Sequence, residues 1–592
     1  MRHVPHALTL GLAAATAAGL VLVVGCGTSP SSTDVGVVTV VRDRLAAAPP
    51  PRPASSTSDA PSNVTARDYV GPEACAGCHP DNAARWRTSL HATMNQRASA
   101  TAIVGDFDGA TLAYGGGTAR FERARDGHRM RLTDRAGTTR RFRVTRTIGT
   151  RGLQEYVGVD EDAAAPVEIR LPFGWWRARP GWYPQPYYDS WFDDEYAAAR
   201  GGAVPAFDAF APDPSPWATR CAWCHNTYPF AVRQARPGVG YGPERDLEPT
   251  APVIADNRLP VDALVTVGIS CESCHLGGRA HAAEPDEVAP SFVPGGPTVR
   301  RLASAPAAPA DDARQGPRQL NAICAQCHSA PTPRYPDGSA ARNSSEALDL
   351  AAGGCASAIR CVDCHDPHAR GPEPGGPDRA DHALACTGCH AELAPPAAAT
   401  AHRRHGASVS CLDCHLPRIV QGIGDVVRSH RVSTPGDPAM LAAGAPTACN
   451  LCHLDRSIRW TVDALAARGV VRTPTAAWRR AYGDLDVAVG PTWLTSAQPF
   501  VRMVAAAAYA RAGDRRALPV LVEVLDDPQA NVRMWILFAV EDLLGRRLER
   551  GSTTRSRRRR PAAASTPPCA PGPPGRTAAG LVRRADSNQQ SA

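Results

Sequence analysis

Cysteine and histidine form one motif that recurs eight times along this chain of 592 residues. In each copy two residues separate two cysteines, and a histidine follows the second cysteine directly. Histidine makes up only 18 of the 592 residues, so eight such neighbours are not a coincidence. The sixteen cysteines are Cys75, Cys78, Cys221, Cys224, Cys271, Cys274, Cys324, Cys327, Cys361, Cys364, Cys386, Cys389, Cys411, Cys414, Cys449 and Cys452. The histidines that follow them are His79, His225, His275, His328, His365, His390, His415 and His453.

The chemistry that needs this spacing is covalent attachment of haem. Two thiols three positions apart can add to the two vinyl groups of one haem, and the adjacent histidine then reaches the iron as its proximal ligand. A zinc ribbon uses paired cysteines but needs no histidine after each pair. A disulfide framework leaves the histidines unexplained, and a thioredoxin-like motif would occur once. The sequence therefore predicts eight covalently bound haem c groups, and we assign no catalytic residue.

Ten histidines lie outside the motifs, and His3 and His6 among them belong to the N-terminal leader. Eight candidates thus remain as sixth ligands for eight irons. His128 lies in a predicted hairpin turn, where an exposed strand histidine is an equally good interpretation. If His128 is no ligand, one iron is five-coordinate or takes a methionine, and Met94 is the nearest candidate. The other seven are predicted distal ligands: His91, His281, His368, His382, His402, His405 and His430.

The motifs and their flanking phrases resemble those of bacterial multihaem c-type cytochromes. Examples of such phrases are CVDCHDPH at 361–368 and CLDCHLP at 411–417. The resemblance covers roughly residues 69–454 and extends to tetrahaem electron carriers and octahaem hydroxylamine oxidoreductases. It implies short helices and loops packed around haems that stack in closely spaced pairs.

The N-terminus is typical of an export signal. Arg2 is followed by an apolar run over residues 7–24, which ends at Cys26. We predict a lipoprotein signal over 1–25 with Cys26 as the lipidated residue; a plain signal or an uncleaved anchor helix is the alternative. Residues 26–68 have the composition of a disordered tether, and 69–104 form the first haem segment.

The rest of the chain divides by pattern. Residues 105–165 alternate apolar and polar side chains with turns, which predicts a small β-meander. An aromatic-rich stretch from 175 to 192 is interpreted as a loop core, with a wall against haems or a substrate cleft as the alternative. Residues 166–455 carry haems two to eight at spacings too short for separate domains, so we expect the haems to form the core.

Helical periodicity begins after the last motif. Val-Arg-Met recurs at 501 and 532, so residues 456–549 resemble a HEAT-like helical repeat. Residues 550–592 read as a disordered basic tail. The predicted fold class is therefore mainly α with high loop content: a haem-packed cytochrome c domain, a small inserted β-meander and a C-terminal α-helical repeat.

Charge and composition exclude several function classes. All 65 basic residues are arginine, which rules out a P-loop, a Schiff-base lysine and the lysine-ligated catalytic haem of ammonia-forming nitrite reductases. The net charge of +8 arises mostly in the tail, which from Gly551 onward holds eight arginines and one aspartate. The arginines outside the tail therefore do not indicate nucleic-acid binding, and we expect them to pair with haem propionates.

We predict an octahaem cytochrome that transfers electrons in an exported respiratory chain. The alternative is an octahaem oxidoreductase that acts on a small nitrogen or sulfur compound at one open haem. The expected location is the periplasm or outer membrane of a Gram-negative-type bacterium. Expected partners are redox proteins and a membrane held through the lipid anchor, but no nucleic acid. The C-terminal repeat is a further candidate for protein docking.

Overall fold

The computed structural model describes residues 66–114, 116–184, 217–229, 263–288, 317–330, 332–369, 380–422, 424–470 and 472–548. The predicted signal, the lipidation site Cys26, the tether up to residue 65 and the tail from 549 lie outside the described residues. Contacts divide the chain after Gly545 into two units, and the helices and strands described all belong to the first.

The largest element is an antiparallel sheet of nine strands. Its strand order is β2-β3-β4-β5-β6-β8-β9, while β1 pairs with β5 and β7 pairs with β6. The strands are β1 Asn95–Arg97, β2 Asp108–Tyr114, β3 Gly117–Ala124, β4 Gly127–Thr133, β5 Thr139–Ile148, β6 Leu153–Asp160, β7 Ile169–Arg170, β8 Phe173–Trp176 and β9 Gly181–Pro184.

Alternation of side chains gives this sheet a core of its own. Every second residue of β4 is buried, so that Met130 and Leu132 face the core while arginines alternate with them. The ring of Trp182 stacks on Phe121 with centroids 3.5 Å apart, and both rings are buried. Phe107 packs edge-on against Trp182 at 5.0 Å. The sheet is thus stabilised by burial of large apolar side chains.

The sheet corrects the predicted fold class. A mainly α fold with only a small β-meander is wrong, because the structure is 38 % helical and 19 % strand and contains this large antiparallel sheet. The strands begin at Asn95 and continue to Pro184, so the sheet includes part of the aromatic stretch. The residues interpreted there as a loop core form β8 and β9, since Trp175 and Trp182 pair across the two strands.

Short helices and two small hairpins carry the cysteine–histidine motifs. The hairpins pair β10 Asn226–Thr227 with β11 Thr266–Val267 and β12 Arg418–Gln421 with β13 Asp425–Arg428. The helices are α1 Pro72–Cys78, α2 Pro80–Arg87, α3 Leu90–Thr93, α4 Trp217–Arg220, α5 Ala222–His225, α6 Arg279–Ala283, α7 Pro317–Ala325, α8 Glu346–Ala351, α9 Ala380–Thr387, α10 Pro396–Arg403, α11 Cys411–His415 and α12 Pro438–Ala442. None exceeds nine residues, and helices this short are marginal alone.

A cluster of helices follows the last motif. They are α13 Ile458–Ala466, α14 Ala476–Tyr482, α15 Val489–Leu494, α16 Pro499–Ala512, α17 Leu518–Glu523 and α18 Ala530–Leu544. The helices predicted at the two Val-Arg-Met copies are present as α16 and α18, whereas the HEAT-like repeat stays a prediction. Within the described residues, no helix is both long and apolar enough to cross a membrane.

Candidate haem-ligand sites

Each motif forms one helical turn, and we number the motifs one to eight in chain order. In six of them the backbone N–H of the histidine donates to the backbone carbonyl of the first cysteine, four residues earlier, at 2.8–3.0 Å. Such a turn places residues i, i+3 and i+4 on one face. Both sulfurs and the imidazole therefore share a side, as attachment to one haem requires. The six histidines are His79, His275, His328, His365, His390 and His453.

Five motif histidines face a second histidine from elsewhere in the chain. Two metal–nitrogen bonds of about 2.0 Å, plus the depth of two imidazole rings, place the ring centroids about 6 Å apart. The ring centroids of the pairs match that separation, and the two ring planes are within 27° of parallel in all pairs but the last. They are His79–His281 at 6.2 Å and 17°, His275–His368 at 6.3 Å and 14°, His365–His430 at 6.1 Å and 27°, His415–His402 at 6.2 Å and 13°, and His453–His405 at 6.2 Å and 45°.

In two of the pairs, a contact at Nδ1 of one ring leaves its Nε2 as the nitrogen that would face an iron. Nδ1 of His281 lies 2.6 Å from the carbonyl oxygen of Val288, and Nδ1 of His415 lies 2.9 Å from that of Ser433. Protein acceptors at Nδ1 orient the ring and leave Nε2 for a metal. The donor set and its orientation therefore fit a haem with two axial imidazoles, which would supply one-electron iron chemistry when bound.

Motif five has two candidate distal ligands. The ring centroid of His382 lies 5.9 Å from that of His365, with 68° between the ring planes. The ring centroid of His430 lies 6.1 Å from that of His365, with 27° between the planes. Burial, followed by the nearby charges of His430 and His382, lowers the pKa of His365 to about 4. Both candidate rings thus lie about 6 Å from the ring of His365, and one of the two is available to serve a neighbouring iron.

The structure places His91 among other ligands but stacks it on none of the described rings. Burial, followed by the charges of His328 and His368, lowers its pKa. The motif histidines His225, His328 and His390 likewise stack on no histidine within the described residues. His91 and one of the motif-five candidates therefore remain for the irons of motifs two, four and six.

His128 lies in the sheet, apart from the pairs. It is buried on β4, and its ring meets Phe107 edge-on at 5.1 Å and 74°. Burial lowers its pKa, which keeps the ring neutral. The sequence left this residue open between a ligand and a strand histidine, and its surroundings are those of a core side chain.

Motifs one and three are in direct contact. The thiols of Cys75 and Cys271 hydrogen-bond to each other, which raises the pKa of Cys75 and lowers that of Cys271 to about 7. Next to Cys271, the carboxylate of Glu272 is only 1 % exposed. It accepts hydrogen bonds from three backbone N–H groups, those of Val70, Gly71 and Gly278. The start of α1 is thereby bound to the third motif.

Motifs two, four and five form a second group. Sγ of Cys224 lies 4.0 Å from the carbonyl oxygen of Cys327. A hydrogen bond between the thiols of Cys324 and Cys361 raises the pKa of the first and lowers that of the second. Asn321 bridges the same two motifs, because its amide oxygen accepts from the Cys361 N–H at 2.8 Å.

Motifs five to eight continue in chain order. Burial and the neighbouring thiols of Cys411 and Cys364 raise the pKa of Cys386 to about 11. Burial and the thiol of Cys414 raise the pKa of Cys449 to about 11. The contacts therefore place motifs two, four, five, six, seven and eight in one row, with motifs one and three as a separate pair.

The pair is tied to the row through motif five. The ring of His368, which follows that motif, faces His275 of motif three, and an Arg85–Asp366 ion pair joins α2 to the same loop. Sequence analysis missed both Asp366 and Glu272 as bridging residues. It also missed Glu346, whose carboxylate lies 3.2 Å from Nδ1 of His328. No local pattern marks these acidic residues, because each bridges to a partner at least 18 residues away along the chain.

Comparisons with known proteins give little further support. No protein-family model matches the chain, and no curated protein matches it. Among solved structures, the crystal structure of the outer cell wall cytochrome OcwA aligns with 80 % of this chain and 100 % of that chain, at 15 % identity and a TM-score of 0.37. A TM-score this low does not establish a shared fold, so the interpretation depends on the ligand geometry.

Proposed function

We propose that this chain is an exported octahaem c-type cytochrome that transfers electrons. The observation that carries the proposal is the set of five histidine pairs, whose ring centroids lie 6.1–6.3 Å apart, as two imidazoles on one iron require. Iron with two histidine ligands has no position open to a substrate, which suits an electron carrier better than an enzyme.

The contacts between motifs support a path for electrons. Thiols of successive motifs in the row touch or lie close together, so haems attached to them would be near neighbours. The motif cysteines would hold the haems by thioether bonds, and the histidines would set the axial field at each iron. Within this proposal the protein fixes distances and potentials, and electrons pass between motifs two and eight.

The location and partners follow from the sequence and are proposed with the same function. We place the chain in the periplasm or outer membrane, held by lipid on Cys26. Redox proteins on either side would supply and accept electrons, and helices α13–α18 offer a surface for docking beside motif eight. Arg511 of α16 supports that location, since it donates to the carbonyl of Leu451 within the motif at 2.5 Å.

Spectroscopy of the purified holoprotein tests the proposal. A pyridine haemochrome assay against protein concentration should give eight haems per chain. Electron paramagnetic resonance of the oxidised protein should be dominated by low-spin ferric signals, and dithionite should reduce all the haem. A chain that carries no covalent haem after export, or whose haems are mostly high-spin, would refute the proposal.

One observation favours a second candidate function. With His128 in the sheet core, seven distal histidines serve eight irons, and one iron would stay open to a ligand. We therefore keep an oxidoreductase acting on a small nitrogen or sulfur compound as the alternative. A high-spin haem that binds carbon monoxide or nitrite, in both the parent and a His128→Ala variant, would support it. Eight low-spin haems in the parent would eliminate it.

A further inference from the structure

A carboxylate lies behind the proximal histidine of motif four. Oε2 of Glu346 is 3.2 Å from Nδ1 of His328, and the Glu346 side chain is 21 % exposed. The His328 side chain is itself 51 % exposed, so the carboxylate is the more buried partner of the pair. Nδ1 is the nitrogen opposite the one that would bind iron, so the carboxylate acts on the ligand from its outer side.

The local backbone holds this contact in place. The N–H of Ala347 donates to the carbonyl of His328 at 3.0 Å, which fixes the first turn of α8 against the motif. The other carboxylate oxygen, Oε1, accepts from the Ser344 N–H at 2.8 Å. Ser344 has a φ of +77°, a left-handed conformation that is unfavourable for a non-glycine residue. The Glu346 carboxylate is therefore positioned by two elements.

Two of the other ligand histidines in the chain have neutral acceptors at the same nitrogen. Nδ1 of His415 lies 2.9 Å from the carbonyl of Ser433, and Nδ1 of His405 lies 2.7 Å from that of Arg403. At motif six, the carboxylate of Glu392 is 3.5 Å from Nδ1 of His390, but it is 70 % exposed. Water therefore screens Glu392 far more than Glu346.

We propose that Glu346 is a positioning residue that lowers the reduction potential of the haem of motif four. This inference rests on the proposed haem-binding function. A negatively charged acceptor at Nδ1 makes the imidazole a stronger donor, which stabilises ferric over ferrous iron. Motif four contacts motif two through Cys224 and motif five through Cys361, so its haem would be an interior step of the row. Because its reduction potential would be low, this haem would be in the reduced form for only a small fraction of the time.

The test is a redox titration of the full-length holoprotein carrying Glu346→Gln, followed by optical and electron paramagnetic resonance spectroscopy. Glutamine keeps the shape and removes the charge. We expect one of the eight components to become easier to reduce by about tenfold in its equilibrium constant, which is 59 mV for a one-electron couple. The ferric signal of one haem should change its g-values while the haem count stays at eight.

Glu392→Gln is the matched control. It removes a carboxylate beside the proximal histidine of another motif, but from an exposed position. We expect the redox titration curve of this variant to match that of the parent protein. If Glu392→Gln shifts a component as much as Glu346→Gln does, removal of a carboxylate suffices whatever its exposure, and the specific role of Glu346 is overturned.

Failure of this inference can be told apart from failure of the proposed function. Eight haems and an unchanged titration in Glu346→Gln would overturn the role of Glu346 and leave the cytochrome intact. Absence of haem from the parent would instead refute the function itself. If the Glu346→Gln variant loses haem and the parent does not, Glu346→Asp takes its place in the titration. Aspartate retains the charge but moves it away from Nδ1, so the reduction potential of the same component should rise by a smaller amount. An unshifted component in Glu346→Asp would then overturn the inference.

Discussion

At the scale of single residues, the facing histidines are the features with the sharpest consequences. His402 lies in the last turn of α10, and its ring lies 6.2 Å from that of His415 with the planes 13° apart. Both rings come from short elements on either side of one proposed haem. Ligand bonds of this kind set the spin state of the iron, because two strong axial donors favour the low-spin form.

Replacing His402 with alanine should therefore convert one of eight haems to the high-spin form. We expect about one eighth of the ferric low-spin signal to be lost, with a new high-spin signal and unchanged haem content. Electron paramagnetic resonance of the oxidised protein measures both. His128→Ala is the control, because its ring packs on Phe107 and should leave every spin state unchanged. Loss of a low-spin signal in His128→Ala would mean that this histidine is a ligand.

The residue scale also shows what sequence can and cannot predict about the site. The cysteines and proximal histidines are local, so spacing identifies them without any fold. The partners of those histidines are not local: His79 faces His281, and His275 faces His368, both across long stretches of chain. Proximity in sequence pairs neither of them, and only the folded chain brings the rings together.

At the scale of elements, Glu272 joins two motifs that are far apart in the chain. Its buried carboxylate accepts from the N–H groups of Val70, Gly71 and Gly278. We expect Glu272→Gln to lower the free energy of unfolding by about 2–3 kcal/mol, because charge-assisted hydrogen bonds are lost while the amide stays buried. Chemical denaturation followed by tryptophan fluorescence measures the change.

Glu73→Gln is the control for that experiment. Glu73 also lies near motif one, but its side chain is 84 % exposed and its ion pair with Arg87 spans 3.5 Å. An exposed pair of this kind contributes less than about 1 kcal/mol, so the midpoint should hardly move. Equal destabilisation by both variants would contradict the role given to Glu272.

The sheet shows why element-level prediction succeeded in one stretch and failed in the next. Strands β3 and β4 alternate apolar and polar residues, with Phe121 and Met130 in the core. This period of two in the sequence correctly predicts strands here. In β8 and β9 aromatic residues point to both faces, and a turn with Pro180 separates the strands. Without alternation the aromatic run was interpreted as loop, although Trp182 completes the core.

The core cluster that contains Phe121 and Trp182 includes no residue of a haem motif, so it can be destabilised without touching the ligands. Phe121 is fully buried and stacks on Trp182. Phe121→Ala should lower the free energy of unfolding by about 3–5 kcal/mol through loss of buried area and a cavity. Calorimetry or denaturation measures this loss, and the low-spin spectrum of the folded variant should match the parent. A changed spin state would show that the sheet also positions a ligand.

At the scale of the whole molecule, the described residues combine two ways of forming a core. The sheet buries large rings such as Tyr156 and Phe173 against each other. The motif segments instead place small helices around rows of cysteine and histidine, whose natural partners are haem faces. Helices of four to nine residues gain little from their own hydrogen bonds, so these segments depend on what the ligands bind.

This difference predicts how the chain behaves when haem is not attached. In a chain produced without export, and hence without thioether bonds, strands β3 to β6 should retain slow amide exchange because their core is made of side chains. Amides of α7, α9 and α11 should exchange much faster than in the holoprotein, since the bonds that hold their motifs together are absent. Hydrogen exchange with mass spectrometry compares the two forms segment by segment. Equal protection of the motif helices in both forms would show that protein contacts alone, such as the Asn321 bridge to Cys361, suffice to order them.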